Sequence, residues 1–247
     1  MEEDVLYIVI PAYNEEEMIE SVAREWHTVV QKAGAGSRLI VINDGSKDST
    51  LEKLLSLKAE LPQLEVLNKE NSGHGPTVLY GYRYALERLA SCKEGYVFQT
   101  DSDGQTLPAE FDAFWQKRHD FDVIIGCRKH RKDGFSRVIV AKVLKFVLFC
   151  IFRVKVADAN TPFRLMKAHI LETYIKIIPA DFNLPNVLLT VLFKKYKVNM
   201  AFLPITFKPR QGGKNSINIK KICKIGLHAV KNFKIINSAL VQLGDRE

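Results

Sequence analysis

Short, continuously apolar runs recur along the first half of the chain, and they restrict the fold more than any other feature of the sequence. Strands that are apolar on both faces are typical of a parallel sheet covered by helices on both sides. The runs are residues 5–10, 39–42 and 96–98, with shorter ones at 64–67 and 123–126. Helix-forming stretches lie between them at residues 15–32, 48–61 and 75–91. The pattern predicts an α/β fold with a mostly parallel central sheet flanked by helices, and such sheets bind ligands at the carboxyl ends of their strands.

An excess of basic residues indicates an anionic partner. Lys and Arg number 36 against 28 Asp and Glu, which leaves a net charge of +8 at pH 7. Nucleoside diphosphates, phospholipid surfaces and nucleic acids all fit this charge. The four cysteines have neither paired nor metal-ligand spacing, and the acidic start of the chain is unlike a signal peptide. We therefore expect a reducing, cytoplasmic location.

Two stretches in the basic C-terminal half have amphipathic character. Residues 138–152 are apolar apart from Lys142 and Lys145, and they fall short of the ~20 residues that a membrane-spanning helix needs. Residues 217–240 carry apolar and basic positions at helical spacing. Both stretches could lie in a membrane interface, or they could pack against the sheet as ordinary amphipathic helices.

Polar motifs follow the first three predicted strands. Pro11, Tyr13 and Glu15 come after the first strand, where Tyr13 could stack on a base and Glu15 could accept hydrogen bonds from a ribose. Asp44, after the second strand, is suited to accept a nucleobase N–H. Gly73 precedes a predicted helix whose N-terminal N–H groups could face a phosphate. Each motif alone is equally compatible with an ordinary turn or helix cap.

The motif after the strand at residues 96–100 carries the strongest chemical signal. Asp101 and Asp103 place two carboxylates at the mouth of a buried strand, where they repel each other unless a cation lies between them. Hard oxygen ligands suit Mg²⁺ or Mn²⁺, which keep open positions for substrate phosphates. The motif therefore predicts a divalent metal site, with an aspartate-rich turn that binds no metal as the alternative.

Taken together, the four motifs resemble the family 2 glycosyltransferases, which have the GT-A fold, across roughly residues 5–216. Gln105 after the metal motif agrees with the branch that contains the dolichyl- and polyprenyl-phosphate sugar synthases. The usual Gly-Phe-Arg of that branch is replaced here by Thr-Pro-Phe-Arg at residues 161–164. The later segments that are similar to this branch are residues 126–128, 158–164 and 210–216.

The resemblance implies a GT-A catalytic domain over residues 1–216, with residues 138–153 as a candidate membrane-interface helix and residues 217–247 as an amphipathic helix and tail. It also implies inverting transfer of a sugar from a UDP- or GDP-linked donor. The implied donor contacts are Pro11, Tyr13, Glu15, Asp44, Gly73 and Asp101, and the implied metal ligands are Asp101, Asp103 and Gln105. The implied catalytic residues are Asp103, Asp158 and Arg128. Candidates for the acceptor phosphate or the donor diphosphate are Arg128, Arg137, Arg164, Arg210, Lys214 and Ser216.

The acceptor determines what Asp158 would have to do. A hydroxyl acceptor needs a general base, and Asp158 is the leading candidate for that role. A phosphate monoester, with its second pKa near ~6, is already ionised at neutral pH and needs no base. The amphipathic basic stretches favour a polyprenyl phosphate acceptor at the cytoplasmic membrane face, reached by peripheral contact or through a membrane-protein partner.

Two other classes of protein share some of these features. A nucleotidyltransferase that makes nucleotide sugars would use a similar sheet and metal, but it is expected to carry a basic glycine-rich loop after the first strand. A nucleic-acid-binding module is expected to interleave aromatic and basic residues on exposed strands. Here the basic residues lie mostly on helix-like stretches, so the sequence disfavours nucleic acid as a partner.

Overall fold

The structure is a computed structural model that describes residues 4–128, 135–208, 230 and 232–233, with the backbone alone for residues 135–143. Its strands are β1 (Val5–Ala12), β2 (Arg38–Asp44), β3 (Leu64–Lys69), β4 (Gly95–Gln99), β5 (Val123–Arg128), β6 (Arg164–Lys167) and β7 (Met200–Ile205). Its helices are α1 (Ile19–Lys32), α2 (Thr50–Leu57), α3 (His74–Leu89), α4 (Phe111–Gln116), α5 (Phe135–Phe152), α6 (Ala168–Ile175) and α7 (Pro185–Lys195). A short 3-10 turn, Pro108–Glu110, precedes α4.

The strands form one sheet in the order β3-β2-β1-β4-β6-β5-β7. Strands β1 to β4 pair in parallel, as do β5 and β7, whereas β6 runs antiparallel to both β4 and β5. The predicted α/β fold with a mostly parallel sheet is confirmed. Because β4 and β5 both oppose β6, their carboxyl ends lie at the same edge as the carboxyl ends of β1, β2 and β3. The amino end of β6 lies at this edge too.

Helices cover both faces of the sheet, so the strands alternate between two apolar layers. In β1, Leu6 and Ile8 face the layer under α1, α2 and α4, and Tyr7 and Val9 face the layer under α3, α6 and α7. The first layer is rich in aromatic rings, with the Phe98 ring centroid 4.8 Å from that of Phe163. Burying a side chain of this size contributes about 1.5–3 kcal/mol. The continuous apolar runs of the sequence therefore correspond to strands buried on both faces.

Helix α1 begins later than its composition suggests. The sequence favoured a helix from residue 15, but α1 starts at Ile19. The N–H of Glu15 donates to the Thr50 hydroxyl at 2.9 Å, and the carbonyl of Glu15 accepts the N–H groups of Met18 and Ile19. Residues 14–18 therefore belong to a loop held by a neighbouring loop, and contacts from outside the segment decide where the helix starts.

Helix α5 covers nearly all of the predicted interface segment. No helix in the described part of the chain is long and apolar enough to cross a membrane. Leu148 and Phe152 are buried in the core, while Phe146 and Phe149 on the other side of the helix are exposed. Most of residues 217–247 lies outside the described residues, although Phe233 is buried with its ring centroid 5.6 Å from those of Phe152 and Phe182. The division at residue 216 stays a prediction.

Gly75 lies inside the first turn of α3, where another segment of the chain approaches closely. A Cβ at Gly75 would lie 2.5 Å from the carbonyl oxygen of Phe182 and 2.6 Å from the Cα of Asn183. The sequence placed a helix-forming stretch from residue 75, and α3 begins one residue earlier, at His74, directly after Gly73. The glycine at position 75 is therefore required for packing.

We expect Gly75→Ala to lower the free energy of unfolding by about 1–3 kcal/mol, because the new methyl group meets backbone atoms that cannot rotate away. Urea unfolding would measure the change. Gly36→Ala is the matched control, since its Cβ would meet a Val5 methyl group at 3.4 Å, an ordinary contact. Equal stabilities of the two variants would contradict the close approach at Gly75.

Candidate active site

The loops after β1 and β2 are joined by reciprocal hydrogen bonds. The N–H of Asn14 donates to the Ser46 hydroxyl at 3.0 Å, and the Asn14 side-chain oxygen accepts the N–H of Lys47 at 2.8 Å. Asn14 adopts a φ of 54°, a left-handed conformation that Asn tolerates better than most residues. The Asp48 carboxylate accepts N–H groups from Glu16 and from Thr50, the first residue of α2. These motif residues hold the two loops together.

Three predicted nucleoside contacts, Pro11, Tyr13 and Glu15, lie in or next to the loop after β1. Tyr13 is 37% exposed, so its ring can be reached by a ligand, as stacking on a base requires. Glu15 is buried beneath the same loop. The carbonyl of Pro11 accepts a hydrogen bond from the Ser102 hydroxyl at 2.9 Å, which connects the end of β1 to the aspartate motif. The nucleoside roles of Pro11, Tyr13 and Glu15 stay predictions.

Asp44 is buried at the end of β2 and accepts several hydrogen bonds there. Its Oδ1 accepts the Lys69 ammonium at 2.5 Å and the N–H of Ser72 at 2.9 Å, and its Oδ2 accepts the N–H of Gly73 at 2.9 Å. Burial alone would raise the pKa of Asp44, but the hydrogen bonds from Lys69 and Ser72 hold it below its ordinary value. Asp44 therefore organises the turn before α3, and its predicted contact with a nucleobase stays a prediction.

Gly45 and Gly73 allow this turn to close. Gly45 has a φ of +63°, and a Cβ there would lie 2.7 Å from the backbone nitrogen of Asn71. The Asn71 side chain donates to the Asp44 carbonyl at 2.8 Å. Gly73 has a φ of +94° and stands immediately before α3. Both conformations favour glycine, so the backbone geometry of the turn is sufficient to explain the glycines at these two positions.

The aspartate motif lies directly after β4. Burial raises the pKa of Asp101 to about 6, and repulsion from the Asp103 carboxylate adds to this rise, whereas the nearby His74 acts to lower the pKa. The His74 Nε2 lies 3.9 Å from Asp101 Oδ1. An additional positive charge would relieve the repulsion between the two carboxylates, so their chemistry fits a divalent cation. Within the described residues no group of three or more His, Cys, Asp and Glu side chains could hold a metal, so diphosphate oxygens and water would have to complete the coordination.

Gln105 connects the aspartate motif to the segment after β7. Its side-chain nitrogen donates to the Lys208 carbonyl at 2.7 Å, and its own carbonyl accepts the N–H of Lys208 at 2.8 Å. Gly104, with a φ of 68°, lets the chain turn before this contact. The structure thus gives Gln105 an anchoring role, and its role as a metal ligand stays a prediction.

Arg128 and Asp158 form a bidentate ion pair at the same edge of the sheet. Arg128 Nε lies 2.8 Å from Asp158 Oδ2, and the Arg128 Nη2 lies 2.9 Å from Oδ1. Both side chains are largely buried, and the guanidinium carbon lies 5.1 Å from the centroid of the Phe207 ring. Two parallel hydrogen bonds in such a setting fix the orientation of both side chains. The pair also joins the two ends of the segment that contains α5.

Arg164 does not reach the surface, which contradicts its expected role toward a phosphate. Its side chain is fully buried, and burial lowers the pKa of its guanidinium. The guanidinium donates to the carbonyls of Ala159 and Thr161 and, at 3.0 Å, to the carbonyl of Asn186. Arg164 therefore supports the loop that begins at Asp158, because it donates to the carbonyl groups of Ala159 and Thr161 in that loop.

Sequence reasoning missed the buried polar residues behind Asp101. Gln99 donates to Asp101 Oδ1 at 3.2 Å and accepts from the Asn186 side chain at 2.9 Å. Tyr82 donates to the Asn186 side-chain oxygen at 3.1 Å. Polar side chains inside apolar stretches are the signal in the sequence, but that signal does not reveal which of them meet.

The side chains of the remaining predicted acceptor residues lie outside the part of the chain that the structure describes. Arg137 lies in α5, where the structure describes the backbone alone. Arg210, Lys214 and Ser216 lie outside the described residues. Their proposed phosphate contacts stay predictions.

A family model described as glycosyl transferase family 2 matches residues 7–175, which is more than half of the chain. The undecaprenyl-phosphate 4-deoxy-4-formamido-L-arabinose transferase of Salmonella typhimurium is 24% identical over 172 residues, covering 68% of this chain and 50% of that protein. The chain thus spans about half the length of these curated relatives. An uncharacterized glycosyltransferase of Synechocystis is 25% identical over 234 residues, covering 94% of this chain and 70% of that protein.

Solved structures show the same fold at lower identity. Glucosyl-3-phosphoglycerate synthase from Mycobacterium tuberculosis, in complex with Mn²⁺, UDP-glucose and phosphoglyceric acid, superposes with a TM-score of 0.66 at 14% identity, covering 95% of this chain and 80% of that chain. Mannosyl-3-phosphoglycerate synthase from Rubrobacter xylanophilus superposes with a TM-score of 0.61 at 15% identity, covering 92% and 72%. At these identities the likeness concerns the fold alone, and it confirms the expected GT-A architecture.

We expect Asp44→Asn to lower the free energy of unfolding by about 1–3 kcal/mol at pH 7, because the amide cannot replace the carboxylate as acceptor for Lys69 and two backbone N–H groups. The folded pKa of Asp44 lies below its ordinary value of 3.8. The stabilisation is therefore present above about pH 4 and is lost as the pH falls through the folded pKa. Urea unfolding of both proteins at pH 7 and near pH 3 would measure this.

Glu52→Gln is the control for the Asp44 prediction, since it removes one carboxylate from the exposed side of α2. Its stability should follow that of the unsubstituted protein at both pH values. A difference between Asp44→Asn and the unsubstituted protein that stayed constant from pH 7 to pH 3 would contradict the assignment.

Proposed function

The chain belongs to glycosyl transferase family 2, and from this premise we propose that it transfers a sugar from a UDP- or GDP-linked donor to a polyprenyl phosphate, with inversion at the anomeric carbon. The observation that carries the acceptor proposal is the bidentate pair of Arg128 and Asp158. The Salmonella relative is named as an undecaprenyl-phosphate sugar transferase, which supports the same acceptor class. Membership of the family disfavours a nucleotidyltransferase or a nucleic-acid-binding module.

The donor half of the proposal follows from the loops at the carboxyl edge of the sheet. Tyr13 offers an exposed ring for the base, and Asp101 and Asp103 offer carboxylates for a metal beside the α3 N-terminus. A bound Mg²⁺ or Mn²⁺ would neutralise charge on the departing diphosphate. Complexes of the Mycobacterium tuberculosis synthase with Mn²⁺ and UDP support this choice of donor and metal. In this proposal, Asp101 and Asp103 hold the metal, and the N–H groups at the start of α3 face the diphosphate.

The acceptor half depends on the state of Asp158. Both of its oxygens accept hydrogen bonds from Arg128, so taking up a proton would weaken a largely buried ion pair. A general base in that position is costly, whereas an acceptor that is already an anion needs none. The pair therefore supports a phosphate acceptor, with Asp158 orienting Arg128. The alternative, a glycan or glycolipid hydroxyl deprotonated by Asp158, requires this pair to separate.

Helix α5 supports a site at a membrane surface. Phe146 is 69% exposed and Phe149 is 38% exposed, on the side of the helix away from the core. Lys145 and Lys155 are exposed as well, and the Lys155 ammonium lies 5.9 Å from the Phe149 ring centroid. Aromatic side chains beside lysines are typical of helices that lie in the interface of an anionic bilayer. Since the Arg128–Asp158 pair joins the ends of this segment, a bilayer bound at α5 would bring a lipid phosphate toward the site.

We expect transfer to polyprenyl phosphate in vesicles with Mn²⁺ or Mg²⁺ present, and no transfer to the corresponding polyprenol, which lacks the phosphate. A panel of radiolabelled UDP- and GDP-linked sugars would measure it. Asp103→Ala should lower kcat by about 100-fold or more, because a charge that stabilises the leaving group is lost. Asp112→Ala, on the exposed side of α4, is the control. Transfer to sugar hydroxyls alone would overturn the acceptor proposal, and an unchanged rate for Asp103→Ala would overturn the metal site.

We expect the double variant Phe146→Ser with Phe149→Ser to bind anionic vesicles at least about tenfold more weakly, because burying each aromatic ring contributes about 1.5–3 kcal/mol. Vesicle sedimentation would measure the bound fraction. Leu55→Ser is the matched control, since Leu55 is 53% exposed on α2. The proposed membrane contact fails if the double variant and the control bind vesicles equally well.

A further inference from the structure

We propose that Gln99, Asn186 and Tyr82 are positioning residues for Asp101, acting through a buried chain of hydrogen bonds. This inference rests on the proposed function, in which Asp101 holds the metal. The residues come from three separate elements, with Gln99 at the end of β4, Asn186 in the first turn of α7 and Tyr82 in α3. All three side chains are buried.

The hydrogen bonds of this chain run in one direction. The Tyr82 hydroxyl donates to Asn186 Oδ1 at 3.1 Å, the Asn186 Nδ2 donates to Gln99 Oε1 at 2.9 Å, and the Gln99 Nε2 donates to Asp101 Oδ1 at 3.2 Å. Each amide is thus a donor toward Asp101 and an acceptor on its other side. Hydrogen bonds in series polarise one another, so the last donor, on Gln99, is the group that the chain strengthens.

Burial makes this arrangement difficult to reverse. If the Gln99 amide turned over, its NH₂ group would face the NH₂ group of Asn186, and its oxygen would face the Asp101 carboxylate. Each of these contacts leaves a buried polar group without a partner, at a cost of about 1–3 kcal/mol. The chain therefore holds one oxygen of Asp101 in a defined direction, and the remaining lone pairs of the carboxylate stay turned toward the loops of the site.

The same turn of α7 also supports the acceptor side. The Asn186 backbone carbonyl accepts Arg164 Nη1 at 3.0 Å and the Thr190 hydroxyl at 2.7 Å. Arg164 in turn holds the carbonyls of Ala159 and Thr161, next to Asp158. Asn186 thus contacts Gln99, which binds Asp101, through its side chain, and it contacts Arg164, which binds the loop after Asp158, through its backbone carbonyl.

Orientation matters for a metal that only two carboxylates would hold. Residues that orient a metal ligand typically change metal affinity by about 10–100-fold when they are replaced. Gln99→Met keeps the length of the side chain and removes its donor, and Tyr82→Phe removes a single oxygen from the far end of the chain. Tyr96→Phe is the matched control, because the Tyr96 hydroxyl meets His119 at 3.3 Å at the opposite end of β4.

The test measures Mn²⁺ binding by electron paramagnetic resonance of the free ion, with UDP and with GDP, using the whole chain. We expect the dissociation constant for Mn²⁺ to rise about tenfold in Gln99→Met and about threefold in Tyr82→Phe, with no change in Tyr96→Phe. Combining the first two substitutions should give little more than Gln99→Met alone, because both act through one contact. The metal concentration for half-maximal transfer should rise by the same factors.

The outcomes separate this inference from the proposed function. Failure of the unsubstituted protein to bind Mn²⁺ with either nucleotide would overturn the Mn²⁺ site of the proposed function and this inference with it. If the unsubstituted protein binds Mn²⁺, and Gln99→Met and Tyr82→Phe bind it with the same dissociation constant as the unsubstituted protein, the positioning role alone is overturned. Thermal unfolding by circular dichroism verifies that each variant is folded, and Tyr82→Phe decides the question if Gln99→Met does not fold.

Discussion

The antiparallel insertion of β6 between β4 and β5 is the constraint on which the site depends. It keeps β4 and β5 pointing the same way, so that Asp101 and Arg128 leave the sheet at one edge. It also places the amino end of β6, and with it Arg164, at that edge. The loop at residues 158–163 must therefore pass beside the aspartate motif before β6 begins. The aspartate motif and the Arg128–Asp158 pair lie at one edge of the sheet because of strand direction.

Within that frame, the loops are held chiefly by polar contacts with each other. Asn14 and Ser46 connect the loops after β1 and β2, and Asn71 connects the loop after β3 to Asp44 at the end of β2. Hydrogen bonds between loops reduce the conformational freedom that a ligand would otherwise have to remove on binding. A site formed in advance in this way suits a substrate whose diphosphate and base must be held at a set distance.

Burial of charge is costly, and the two most buried charges of this edge are satisfied in different ways. Asp44 is paired with an ammonium and backbone N–H groups, whereas Arg164 is surrounded mainly by carbonyl oxygens. In both cases the charged side chain holds backbone groups that would otherwise lack partners. Both residues were predicted from the sequence to contact a ligand. A charged residue next to such a motif is typical of ligand sites, but it is equally typical of turns whose backbone groups are hydrogen-bonded by that residue.

The sequence alone determined the fold class, the family and the strand ends at which the motifs stand, because continuous apolar runs and short motifs are local properties of the chain. It also identified Asp101 and Asp103 as a pair with unfavourable repulsion. Only the tertiary structure decided which polar side chains meet: that Arg128 pairs with Asp158, that Arg164 is buried, and that Asn186 lies behind Gln99. The physical reason is that partners such as Tyr82 and Asn186, which are 104 residues apart, are brought together by strand order and helix packing, which composition and spacing do not encode.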